Sequence, residues 1–238
     1  MTNGLKSECA RVMAERQVMY RFLARAFRKE MDRELLDEII QLDLSTGSGV
    51  QEIDTGFQML GRFLQGLNET TLPDLAADYA RIFLGAGPRQ AGSAFPYESV
   101  YTSPQGLLMQ EARDQVVAFY RQEGVQCSTD FHDPEDHIAQ ELEFVAYLCE
   151  KTGQALEEQD DDAARHYLRK QRGFIDSHLC AWAPRLCTDV ARIAATDFYK
   201  AIALITSGYL LVDQSLIADL LERQEALSDL NRIATQMK

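Results

Sequence analysis

The chain has 238 residues, of which 46% are hydrophobic and 26% charged; this suits a packed, soluble protein and excludes disorder as the dominant state. A net charge of −13 excludes phosphate-rich nucleic acid as a partner and favours a basic one. Apolar runs fall short of the roughly 20 residues that a membrane helix needs, so stable membrane insertion is not expected. The first ten residues carry no secretory signal, and no Arg-Arg pair is present to make the chain itself a twin-arginine export substrate.

Helical periodicity runs through nearly the whole chain. Cys9, Met13, Arg16, Tyr20, Leu23 and Phe27 repeat at three and four, the stripe of an amphipathic helix. Leu35, Leu36, Ile39 and Ile40 predict a short second helix, and Val50, Ile53, Phe57, Leu60 and Leu64 a third beyond the breaker-rich stretch 45–49. A fourth is predicted from about Pro73 to Leu84. The stretch 85–103 holds three glycines and two prolines, which forbid a regular helix, together with Phe95, Tyr97, Val100 and Tyr101. That mixture predicts an ordered aromatic loop. Ser103-Pro104 reads as N-cap and first residue of a helix to about Arg121, and 124–131 is a second break.

Asp133-Pro134-Glu135-Asp136 then reads as a helix start, with Asp133 capping and two carboxylates facing the positive end of the dipole. Ile138, Leu142, Val145 and Leu148 form that helix's inner face. The acids at 157–162 start another helix through Ala164, Tyr167, Leu168 and Ile175, and Pro184 begins a further short one. Phe198, Ile202, Ile205 and Tyr209 lie on a buried helix, and Ile217, Leu220, Leu221, Leu227 and Leu230 close the chain. The expected fold is all-α, with about nine or ten helices: an N-terminal helical half (residues 1–123), a hinge at 124–133 and a C-terminal helical half (residues 134–238).

Charge and chemistry-bearing residues narrow the function. Between Asp130 and Asp162 stand twelve acids and one base, Lys151, so this segment carries −11 of the −13. A solubilising face and a landing site for a cationic peptide both fit that run. His137 and Glu141 stand four apart, as do Asp133 and His137, a spacing that fits a surface hydrogen bond. His166 and His178 stand twelve apart and read as packing or solvent-facing residues. No Glu-x-x-His, phosphate-cradling glycine loop or Gly-x-Ser-x-Gly is present. Five cysteines, Cys9, Cys127, Cys149, Cys180 and Cys187, form no CxxC pair, which suits a reducing cytoplasm and lacks zinc-ligand spacing. No catalytic residue, metal or cofactor is expected. The aromatic loop, with tyrosines that are apolar at the ring and polar at the tip, and the carboxylates at 133–141 suit a segment in which arginines stand beside an apolar run.

Five ordered blocks carry a resemblance. Asp133-Pro-Glu-Asp-His-Ile-Ala-Gln-Glu-Leu-Glu-Phe-Val-Ala-Tyr-Leu resembles the motif of the TorD/DmsD family of redox-enzyme maturation chaperones. Leu75-Ala-Ala-Asp-Tyr-Ala-Arg-Ile-Phe-Leu-Gly and Pro96-Tyr-Glu-Ser-Val-Tyr are similar to the family's earlier blocks. Phe174-Ile-Asp-Ser-His-Leu-Cys-Ala-Trp-Ala-Pro and Phe198-Tyr-Lys-Ala-Ile-Ala are similar to its later ones, so the likeness spans roughly 10–215.

The resemblance implies an all-helical cytoplasmic chaperone that binds the twin-arginine leader of a molybdenum-containing oxidoreductase subunit and holds it through cofactor insertion and assembly before export. The family's leader-binding positions carry over to Asp136 and His137, with Pro134 and Glu135 shaping the turn, and the matching loop supplies Tyr97, Ser99 and Tyr101. Some relatives have tryptophans along that loop, whereas the only tryptophan here is Trp182. The arginine pair is expected near Asp136 and Glu141, and the leader's apolar stretch on Tyr97 and Tyr101. Two other readings stay open: an assembly factor gripping the body of a nitrate-reductase-like enzyme, and a metal-dependent hydrolase using His137 and nearby carboxylates. A monomer and a domain-swapped dimer are both compatible with the hinge.

Overall fold

Every regular element among the described residues of the computed structural model is helical. Residues 3–41, 47–87, 92–126 and 132–236 are described, with side chains except at 3, 5 and 225–236; the sequence readings at Cys127, Asp130, Phe131, Leu227 and Leu230 fall outside the residues or side chains described. In chain order the helices are α1 (Asn3–Arg28), α2 (Arg33–Ile40), α3 (Gln51–Gln65), α4 (Thr71–Phe83), α5 (Glu98–Thr102), α6 (Glu111–Gln122), α7 (Ile138–Glu157), α8 (Asp161–Phe174), α9 (Cys180–Ile193) and α10 (Asp197–Gln236). A π-helical turn, Ile175–Leu179, joins α8 to α9. The expected all-α class is thus the observed one.

The stripe of α1 is buried as its period demands, and α1 lies along α7. In that stripe Arg16 takes the place of an apolar residue. Its guanidinium forks onto Asp213 of α10, Nε to Oδ1 at 2.5 Å and Nη2 to Oδ2 at 2.7 Å, and its remaining nitrogen donates to Gln171 of α8. Tyr20 also donates to Asp213, and the Gln171 amide donates to Thr152 of α7. Four helices therefore meet at one hydrogen-bonded charge pair, which satisfies polar groups that the core would otherwise penalise.

Two glycines bring α3 and α10 into close contact. A Cβ on Gly56 would stand 2.6 Å from Ile205 Cγ1, and one on Gly208 would stand 2.9 Å from Ile53 Cγ1. Each helix offers a notch to an isoleucine of the other. Four described thiols, Cys9, Cys149, Cys180 and Cys187, are free, and burial pushes them up to between about 11 and about 12.

Several boundaries differ from the sequence reading. Ser103 closes α5 instead of opening a helix, and α6 begins only at Glu111. Between them Gly106 (φ 62°) and Met109 (φ 57°) adopt left-handed backbone that no helix continues. Asp133 does not cap α7: His137 does, its Nδ1 accepting from Ala139 N at 3.0 Å. Pro184 sits inside α9, in the second turn, where its ring faces the carbonyl of Cys180 just beyond the wide turn at 175–179. Finally, α10 is one helix. Its stretch Asp197–Gln224 is long and apolar enough to cross a membrane, and half of its most apolar part is buried inside the protein. Thr206, Ser207 and Gly208 break the apolar run without breaking the helix, since Thr206 returns its hydroxyl to Ile202 O at 2.7 Å. The Asp213 carboxylate paired to Arg16 fits this stretch to a protein core.

Candidate functional site

The aromatic loop and the start of α7 are tied by backbone pairing, not by helix capping. Glu98 N donates to Asp136 O and Ile138 N to Pro96 O, both at 2.9 Å, a single antiparallel bridge centred on Tyr97 and His137. This fixes Asp136 beneath α5, where its Oδ2 accepts from Ser99 N at 2.8 Å. The acidic motif therefore caps a helix elsewhere in the chain, and that is why α7 starts later than a local reading predicts. Asp136 Oδ1 finds no hydrogen-bond partner among the described residues.

The site residues named from the sequence are brought together, mostly out of contact with water. Ser99, Asp136 and Glu141 have 0% exposure and His137 2%; the expected surface hydrogen bond between His137 and Glu141 is replaced by two buried groups, one a cap and one on the helix. Burial pushes Asp136 up, against the Ser99 hydrogen bonds that pull it down. Burial likewise drives Glu141 well above the usual carboxylate range, and the negative charge of Glu98 adds to it; the Trp182 indole, donating to Glu141 Oε2 at 3.0 Å, opposes. Burial lowers His137 to about 4, with Asp133 opposing and Arg28 reinforcing the shift. His137 is therefore neutral at pH 7.

The remaining named residues frame this cluster. Pro134 and Glu135 form the turn, and Glu135 is held by a two-pronged contact with Arg113 at 2.6 and 2.8 Å. Tyr97 donates to Asp133 Oδ1 at 2.6 Å with its ring edge-on to His137. Tyr101 turns the other way: it packs on Trp182 and reaches Asp189 at 3.2 Å. Both tyrosines thus help fasten the loop.

Three members were not legible in the sequence. Glu98 is 2% exposed and contacts His178 Nδ1 at 2.8 Å across 80 residues, and Trp182 comes from α9. The sequence signal, weak by itself, is a glutamate inside an apolar-aromatic loop. His166 is separated from His178 and faces Glu123 at 3.4 Å. The acidic segment is partly spoken for by α1: Lys6 pairs with Asp161, Arg21 with Glu150 and Arg28 with Glu143. No group of three or more His, Cys, Asp or Glu side chains that could hold a metal occurs among the described residues.

A profile of the nitrate reductase delta subunit family matches residues 50–188, a range that includes every residue of this cluster. The chain belongs to that family. Curated relatives bear the name chaperone protein TorD. One from Shewanella pealeana is 29% identical over 211 residues, covering 83% of this chain and 87% of the relative. One from Vibrio vulnificus is 26% identical over 209 residues (85% and 94%), and one from Aliivibrio fischeri 30% over 155 (65% and 69%). These matches bear out the resemblance to the TorD/DmsD chaperones read from the five blocks. Membership in the delta subunit family brings the loop, the 133–141 segment and Trp182 within one matched region.

Proposed function

We propose that this delta-subunit-family protein is a cytoplasmic chaperone for a molybdenum-containing oxidoreductase subunit, binding its twin-arginine leader while the enzyme is assembled. The TorD relatives, each matching over most of its length, support the chaperone role. The observation that carries the leader reading is that Asp136 and Glu141 form no ion pair among the described residues. Their neighbour Glu135 differs, held by Arg113. Two buried carboxylates held without a cation are destabilised when ionised, and an incoming guanidinium relieves that cost in a low-dielectric setting where its hydrogen bonds count most. Leader arginines are the matching chemistry, with Tyr97, Ser99 and Tyr101 on the loop and Pro134, Glu135 and His137 on the turn as the shaping residues.

Titration calorimetry with synthetic twin-arginine leaders at two salt concentrations tests this. Binding that weakens with salt and disappears when both arginines become alanine is the expected result; equal affinity for the alanine peptide refutes it. The family description favours a second reading, an assembly factor holding the body of a nitrate-reductase-like enzyme. Co-purification of the chaperone with a client lacking its leader is the outcome that reading requires.

A further inference from the structure

The carboxylates of the proposed site are sealed, and their neighbour Glu98, itself 2% exposed, borders an open pocket. Glu98, whose charge acts on Glu141 and whose carboxylate contacts His178, also lines an open pocket of about 380 Å³. This pocket is walled by α5, the start of α6 and the π turn, and its lining includes Ser103, Gln110, Glu111, Gln115 and Ser177 besides the buried Glu98. None of the described residues lining it is a base. Carboxylates, amide oxygens and hydroxyl oxygens are acceptors, and a guanidinium offers five donors in a planar fork.

The pocket's rim carries the second feature. Between Ser103-Pro104 and Gln110, all lining residues, the chain runs through Leu107, Leu108 and Met109, which are 54%, 46% and 59% exposed. Three consecutive exposed large apolar residues are unusual on a soluble surface and mark an interaction site. A polar, base-free, acid-lined hollow beside an apolar knuckle complements a segment in which a basic residue adjoins an apolar run.

Resting on the leader reading above, we infer that the leader enters the protein at this pocket. One arginine lies against the exposed Glu111, and the apolar run of the leader covers Leu107, Leu108 and Met109. The added positive charge offsets the charge of Glu98, whose field acts on the sealed Asp136 and Glu141, and Tyr97 and Tyr101 hold the loop instead of carrying the apolar stretch. The protein's only tryptophan, bonded to Glu141, reports on the event.

The test uses the full chain and a tryptophan-free synthetic peptide with an arginine pair followed by an apolar run, read by calorimetry and by Trp182 emission. Glu111→Gln should weaken binding about two- to fivefold and reduce its salt dependence. The double variant Leu108→Ser/Met109→Ser should weaken it more than about tenfold. Leu84→Ser, more exposed still at 66% but outside this pocket's lining, should bind as the parent does. All are surface changes, and thermal melting confirms that each variant is folded. If the parent protein binds the peptide in an arginine-dependent way and both rim variants match it, this entry site is wrong while the leader reading stands. If the double variant instead dissolves a dimer without altering peptide affinity, the knuckle belongs to a second copy and the inference is overturned. If the parent binds no leader, both fall together.

Discussion

Removing the Asp213 carboxylate should be among the most damaging single changes in the protein. Asp213 accepts two hydrogen bonds from Arg16, at 2.5 and 2.7 Å, and one from Tyr20 at 2.5 Å, and the Arg16 and Asp213 side chains are 3% and 1% exposed. In Asp213→Ala the guanidinium keeps Gln171 and Met13 as neighbours but has no counter-charge, and water cannot reach it without opening the bundle. Breaking a buried pair in this way costs about 3–5 kcal/mol, set against a total stability of about 5–15 kcal/mol. For a chain of this size that is a fall in Tm of roughly 6–20 °C. Urea and thermal unfolding followed by Trp182 emission measure it. The companion Arg16→Met/Asp213→Leu removes both charges and should cost under about 1.5 kcal/mol, because desolvation of the pair offsets most of its attraction. A loss below about 1 kcal/mol for Asp213→Ala, or a double variant as damaged as the single, refutes the reasoning.

Three further outcomes follow from the site and the helix seams. Asp136→Asn keeps an acceptor for Ser99 N but removes a carboxylate whose ionised form burial disfavours; stability at pH 7 should hold or rise, while leader affinity falls by about 1.5–3 kcal/mol. Unchanged affinity in a protein with unchanged circular dichroism removes Asp136 from the site. His137 is lowered to about 4 in the fold against 6.5 for the free side chain, so between these values the unfolded chain binds the extra proton and stability declines as pH falls. Comparing denaturant midpoints of the parent and His137→Asn from pH 7 to pH 4 isolates this contribution, on the order of 3 kcal/mol at the acid end; parallel curves contradict it. Gly208→Ala forces a methyl to within 2.9 Å of Ile53 Cγ1 and should destabilise by about 1–3 kcal/mol. Gly61→Ala, with nothing within 4 Å of its new Cβ, should stabilise α3 by up to about 1 kcal/mol. Equal melting points for the two glycine variants argue against the seam.

Helical periodicity made α1 to α4 and the body of α7 legible, because each buries one continuous face at spacings of three and four. Starts were harder to read. Asp133-Pro134-Glu135-Asp136 has every local feature of a helix opening, yet Asp136 serves Ser99 in another helix and His137 takes the capping place. Ser103-Pro104 failed for a related reason, since left-handed backbone at Gly106 and Met109 lies between it and the helix it should have opened. Asp136, His137 and Ser99 were named through the family resemblance and Glu141 through its spacing from His137, and the fold gathers all four. Their burial was not legible, because it depends on Pro96 and Glu98 pairing with residues 136–138 across the bridge. Glu98 with His178 and Arg16 with Asp213 are pairings over 80 and 197 residues, which neither spacing nor composition encodes.

The reciprocal notches at Gly56 and Gly208 act as a key between α3 and α10. Sliding one helix past the other by a turn, about 5.4 Å, would bring each isoleucine against a residue that has a side chain where glycine had none. The seam has one register, so any motion that admits a client carries α3 and α10 together as a single block and must open elsewhere around the bundle. The same key fits whichever copy of the chain supplies each half. An exchange of helices between two molecules would rebuild the seam unchanged, making α3–α10 a contact that sets alignment without choosing between monomer and swapped dimer.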